Sequence, residues 1–274
     1  MDAIYFNMLT DTSAIVFKTV AFKESSLIVT MLSEIHGKIA VMARGARRNK
    51  NKFGGQLQPG AVLDVVYYYK TTRDVQNLSK IAQKKPTWHI YQDMEKMAIA
   101  LAVLELSEQL CHEHEPQDEL FIFLSRFLHW LHKTEYSSRN LFPYIQIRLI
   151  ELSGIGLSLT IPEMHENQVT PEKKKRPETP ESTSIDSGVP FQCFLNVESG
   201  RISYTPEEGM HLPVSKSQLD YLRCVWKENK SQLLTHNFPS SEIKNLINHL
   251  DVYLKYHVDG IRDRRSDAIF KQIL

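Results

Sequence analysis

The stretch Met42-Ala-Arg-Gly-Ala-Arg-Arg-Asn-Lys-Asn-Lys-Phe-Gly-Gly-Gln-Leu-Gln-Pro59 carries five cations, Arg44, Arg47, Arg48, Lys50 and Lys52, and no acid. Gly45, Gly54, Gly55 and Pro59 interrupt it, so neither a helix nor a strand is expected to run through it. Runs rich in Val, Ile and Tyr flank it, Lys38–Ala43 before and Val62–Tyr69 after. A basic, flexible arc held between two strands is suited to a phosphate backbone.

Outward from the arc, Ala14–Phe22, Leu27–Leu32 and Val75–Ile81 are also β-patterned. Five short strands within about 70 residues predict a small closed or nearly closed barrel, with the arc linking its third and fourth strands. The arc cations would neutralise phosphates, its glycines would let the strand approach the backbone, and Phe53 would stack a base. Lys38 is expected to add a cation on a barrel face. Gly37-Lys38 is not a phosphate loop, because Leu32 stands where that motif needs Gly and Ile39 replaces its hydroxyl residue. Tyr67, Tyr68 and Tyr69 alternate across a strand, so at least one ring should face the core.

Pro86 marks a change of period. Helices are predicted at Tyr91–Cys111, Asp118–Lys133 and Asn140–Leu152, and again at Ser217–Lys227, Ser241–His257 and about Arg265–Leu274. Between these sets, His165–Pro190 is dense in Pro, Glu, Lys, Ser and Thr and is expected to be disordered. Its Lys173–Arg176 run is read as a solvated charge cluster. A short hairpin follows at Phe191–Thr205, turning near Ser199-Gly200. The expected fold class is therefore α+β, with a barrel at 1–84, helical parts at 85–160 and 213–274, a linker at 161–190 and the hairpin at 191–212.

Charge divides along the chain. Residues 1–85 hold 13 Lys/Arg against 6 Asp/Glu, residues 86–160 hold 5 against 10, and residues 161–274 hold 15 against 16. The first third is built to meet a polyanion and the middle is not. Cys111, Cys193 and Cys224 are too scattered for a disulfide framework. The N-terminus has an early acid and does not read as a signal peptide, and the longest apolar run, Ala98–Leu104, cannot span a bilayer. A cytosolic location is expected. His112 and His114 are read as two residues apart on one helix, which would point them in different directions and prevent them from sharing a metal.

Several segments together resemble the RecO family of bacterial recombination mediators. They are Ala43-Arg-Gly-Ala-Arg-Arg48, Gly55-x-Leu57-Gln-Pro59, Glu105–Pro116, Glu119-Leu-Phe121, Arg148–Gly154 and Arg264–Phe270. The resemblance implies an OB barrel, a helical domain and a non-enzymatic role in DNA repair and recombination. Its implied partners are single-stranded DNA, the C-terminal tail of single-strand-binding protein, RecR and, indirectly, RecA. A monomer with a nucleoid-associated location is expected. Many members carry a four-cysteine zinc ribbon; here Cys193 alone stands in that region, so no zinc or other cofactor is expected. Phe121, Phe123, Leu124, Phe127, Leu128, Trp130 and Leu131 exceed one buried stripe. Core packing accounts for most of them, but some could line a groove for the acidic-apolar tail, Phe123 and Phe127 among them. Arg126, Arg139 and Arg148 are equal candidates for its terminal carboxylate.

A basic barrel could equally serve RNA, since the charge footprint does not separate the two nucleic acids. A hydrolase or nuclease is disfavoured. No metal-spaced carboxylate pair, Ser/His or Cys/His motif, or nucleotide loop is evident.

Overall fold

Strands β1 (Met8–Phe22), β2 (Ser26–Ser33), β3 (Gly37–Ala43), β4 (Val62–Tyr69) and β5 (Val75–Lys85) close into a barrel of order β1-β2-β3-β5-β4. The computed structural model describes residues 8–50, 52–53, 55–135, 138–159, 193–227 and 230–267. The β3–β5 pair is parallel and the others are antiparallel, which is the OB topology. Along β3 every second residue is buried, so Ile39, Val41 and Ala43 face the barrel core beside Val29, Met31, Val65 and Tyr67. The strand β1 is long enough to pair with both β2 and β4, and its register shifts between Val16 and Lys18. At that irregularity Val16 N–H donates to the Ala61 carbonyl (3.0 Å) and Gly60 N–H donates to the Val16 carbonyl (2.7 Å).

The barrel packs against helices. Strand β5 stops before Pro86, which disfavours continuation. A 3₁₀ turn at Trp88–Gln92 leads into α1 (Met94–Leu110), capped by the Asp93 carboxylate accepting from Lys96 N–H at 2.9 Å. Helix α1 is buried nearly all round, and α2 (Asp118–Lys133) and α3 (Leu141–Leu152) lie in the same helical body. Ile15, Phe17, Leu32 and Val62 belong to one continuous core with these helices, so the seam is apolar. Gly60 sits in that seam at φ +79°, where a Cβ would lie 3.5 Å from Leu104 and 3.6 Å from Leu128.

Beyond α3 the expected hairpin is larger. Strands β6 (Ser158–Leu159), β7 (Cys193–Asn196), β8 (Arg201–Ser203) and β9 (His211–Val214) form a four-stranded sheet ordered β6-β8-β7-β9. The sheet shares the core of the helical body through Cys193, Leu195, Val197, Ile202 and Val214. Helices α4 (Lys216–Trp226), α5 (Lys230–Thr235) and α6 (Ser240–His257) follow, the last regular elements among the described residues. The expected disordered linker, its basic run and most of the expected terminal helix lie outside the described residues.

Cys193 is 1% exposed, and burial raises the pKa of its thiol. Its cross-strand partner is Val214 of β9, and strand β8 consists of Arg201, Ile202 and Ser203, so neither position offers a thiolate or imidazole. These residues do not fit a tetrahedral zinc.

The segment after α6 is tied back by ions. The Arg264 guanidinium, 7% exposed, contacts Asp251 at 2.5 and 2.7 Å and Asp267 at 2.9 Å, and lies 4.9 Å from the Phe142 ring centroid. Glu105 on α1 accepts from the backbone N–H of Arg265 (2.8 Å) and Ser266 (2.9 Å). Burial alone would raise the Glu105 carboxyl, but these donors and the charge of Arg264 bring it below the ordinary 4.5. A lowered folded pKa stabilises above the unfolded value and is lost as pH falls through the folded one. Glu105→Gln is therefore expected to cost about 1–2 kcal/mol at pH 7, with the gap from wild type closing in acid. Urea unfolding of both proteins at pH 7 and pH 4 checks this, and a pH-independent gap would contradict it.

Candidate nucleic-acid interface

The arc has two halves with different jobs. In the first, Gly45 adopts φ +74° and lets the chain turn, with Arg48 N–H donating to the Gly45 carbonyl at 3.1 Å. Arg47 then latches onto the β1–β2 turn. Its backbone N–H donates to the Ser25 carbonyl (3.0 Å) and its guanidinium to the Lys23 carbonyl (3.1 Å). Arg44, Arg47, Arg48, Lys50 and Lys52 are all exposed. A cavity of about 540 Å³ lies between Arg44 and Arg48 on one side and Phe22, Lys23 and Ser26 on the other.

The second half is anchored. Phe53 is 1% exposed and Leu57 5%, and both belong to the barrel core. The expectation that Phe53 stacks a base is thereby corrected: its ring closes the barrel, and Lys52 Nζ lies 5.0 Å from the ring centroid. Lys52 also donates to the Ser79 carbonyl at 2.8 Å. Thr19 Oγ1 holds the Leu57 carbonyl at 2.8 Å. The arc is a fixed rim over much of its length. Half-buried Phe22 is the aromatic ring beside the cations. The sequence signal for it was weak, a lone Phe at a strand end before Lys23.

Lys38 is not part of this surface. It is half-buried at the seam, where its ammonium donates to the Glu108 carbonyl (3.3 Å) in the last turn of α1. A cation there complements the negative end of the helix dipole. Tyr67 faces the core at 0% exposure, and its hydroxyl meets Ser33 Oγ (3.0 Å) and His36 Nδ1 (2.6 Å). Burial pushes its pKa up to about 12. Tyr69 stacks on His36 with ring centroids 3.7 Å apart, so neither of these two rings is a free platform. The premise about His112 and His114 also changes, since α1 ends at Leu110 and both lie beyond it. Among the described residues no three His, Cys, Asp or Glu side chains converge as a metal site.

A second surface lies between α2, α3 and α5. There Phe123, Phe127, Trp130 and Tyr144 line a groove of about 650 Å³ with Arg126 and Arg148 at its side. The Phe123 and Phe127 rings are stacked 6.5 Å apart, and Trp130 is 38% exposed. Leu124, Leu128 and Leu131, by contrast, are fully buried. Helix α2 thus has one face in the core and another in the groove. Arg126 is exposed and has no ion pair or hydrogen bond among the described residues, whereas Arg148 pairs with Glu151 at 2.6 Å. Arg139 is elsewhere, donating to the Phe238 carbonyl at 3.4 Å, and does not line the groove. Leu233 and Leu234 of α5 close one wall. That helix was missed because six residues are too few to show a period.

Comparison with known proteins agrees with this layout. Residues 8–86 match the family model for the N-terminal domain of recombination protein O, and residues 91–161 match its C-terminal counterpart. The chain is 36% identical over 145 residues to the DNA repair protein RecO of Salinibacter ruber, a match spanning 53% of this chain and 56% of that one. It is 26% identical over 271 residues to RecO of Chloroherpeton thalassium, covering 97% and 100%. RecO of Prosthecochloris aestuarii is 26% identical over 273 residues, covering 97% and 98%. Among the described residues, no helix is long and apolar enough to cross a membrane.

Proposed function

This chain belongs to the RecO family of DNA repair and recombination proteins, and from that premise we propose that it is a non-enzymatic mediator. The barrel rim holds single-stranded DNA, and the α2–α3 groove takes the C-terminal tail of single-strand-binding protein. With RecR it helps load RecA, and it anneals complementary strands. The observation that carries this reading is five exposed cations on one loop, latched beside Lys23 with no arc acid among them. Concentrating two like-charged strands on such a rim lowers their mutual repulsion. Many salt-sensitive contacts then allow release once a duplex forms.

The groove suits an acidic-apolar peptide because its rings accept apolar side chains and unpaired Arg126 offers charge to a carboxylate. Arg126→Glu is expected to weaken binding of a tail peptide by about tenfold while leaving affinity for bare single-stranded DNA unchanged. Fluorescence titration with each ligand checks this; equal loss for both ligands would contradict it. The broader test is annealing of complementary strands coated with single-strand-binding protein, with and without its tail. Annealing that needs the tail supports both surfaces. Tail-independent annealing counts against the groove, and no annealing counts against the whole reading.

A further inference from the structure

We propose that a nucleobase-binding pocket lies at the downstream end of the arc, formed by the amides of Gln56, Gln58 and Gln83 beside the indole of Trp88. The proposal rests on the reading that the arc holds a single strand, and it assigns the place where one base leaves solvent. Leu57 is plugged into the barrel core, so its neighbours Gln56 and Gln58 stand outward and are exposed. Across from them is exposed Gln83 of β5, and the three residues line one cavity of about 240 Å³ with Lys85, Trp88 and Tyr91. None of the three side-chain amides makes a hydrogen bond among the described residues. Each presents one acceptor and two donor hydrogens, the complement of a base edge.

Trp88 is 52% exposed, yet it is braced. Its ring meets His89 at 3.5 Å edge-on and His132 at 5.4 Å, and His132 Nδ1 in turn accepts from His89 N–H at 3.2 Å. A supported, half-open indole is a stacking platform. Lys85 is held in the pocket wall by donation to Ser125 Oγ at 2.9 Å. Gly55, at φ +73°, has nothing within 4 Å of where a Cβ would be, so the backbone there is open to an approaching strand. The cavity is smaller than the roughly 300–1,000 Å³ that encloses a whole small ligand, which favours one planar ring over an entire nucleotide. The pocket also continues the cationic half of the arc without a break in the chain. Phosphates would therefore lie along the cationic half while a base occupies the pocket.

The test compares two labelled strands of equal length, oligo-deoxyadenylate and an abasic deoxyribose-phosphate strand, titrated into the full-length protein. Wild type should bind the base-bearing strand more tightly. Trp88→Ala should weaken that strand by about tenfold and leave the abasic strand unchanged, and Trp88→Phe should restore most of the loss. Equal loss for both strands, or no loss for either, overturns the pocket. Wild-type binding without preference for bases leaves the arc standing and removes the pocket, whereas no binding of either strand overturns both.

Discussion

Changing Arg44, Arg47 and Arg48 together to glutamate is expected to lower affinity for single-stranded DNA by about a hundredfold or more at low salt. Three phosphate contacts are lost and three repulsions are introduced on one rim. Each phosphate neutralised on a single strand contributes about 0.7 to the slope of log affinity against log salt. The slope should therefore flatten by about 2. All three side chains are exposed, so the barrel should survive. The Arg47 side chain also has a structural duty, donating to the Lys23 carbonyl. Anisotropy titrations between 50 and 200 mM salt, with thermal unfolding as a control, decide the matter. A triple variant with unchanged affinity and slope would remove the arc from the DNA-binding surface.

The largest expected stability effect lies at the far end of the barrel. Gly37→Ala should cost about 3–5 kcal/mol. Gly37 holds φ +60°, and a Cβ there would fall 1.9 Å from the Glu115 carbonyl oxygen and 2.4 Å from its carbon. Both atoms are backbone, in a loop fixed by donation from His114 N–H to the Lys38 carbonyl at 3.1 Å. The β2–β3 turn and the chain after α1 must then separate. Gly55→Ala is the matched comparison, because φ is similar at +73° but a Cβ meets nothing within 4 Å. That variant should cost only the left-handed backbone penalty, about 1–2 kcal/mol. The difference between the two, read from urea unfolding, measures how firmly the barrel turn is docked. Equal costs would show that the loop yields.

Legibility in the sequence followed the strength of local pattern. Strand β4 and helix α2 have the expected bounds because the first is rich in Val and Tyr and the second carries acids at its start and His132-Lys133 at its end. Strand β1 begins at Met8, earlier than expected, because Thr10, Asp11, Thr12 and Ser13 look like a polar turn yet pair with Tyr67, Val66, Val65 and Asp64 of β4. Strands β6 and β9 have two and four residues and leave no period to find. Within the candidate sites, exposed arginines were readable from charge alone. Burial of Phe53 was not, because two apolar residues four apart in a Gly-rich basic loop look solvated until the barrel mouth is built around them. Choosing Arg126 over Arg139 similarly required the turn and helix α5 that place Phe238 beside the latter.

The anchoring of the arc by Phe53, Leu57 and the Arg47 latch has a kinetic consequence. A slack loop would have to lose backbone freedom each time a strand landed, at roughly 1–2 kcal/mol for every residue ordered. In this chain much of that ordering is completed when the barrel folds. Under the proposed role, encounter with DNA proceeds close to the rate set by electrostatic steering, with little delay for rearrangement. Residence time, in contrast, is left to ionic contacts that competing counterions can replace one at a time. For the proposed role, the rim is thus suited to rapid capture and equally rapid handover.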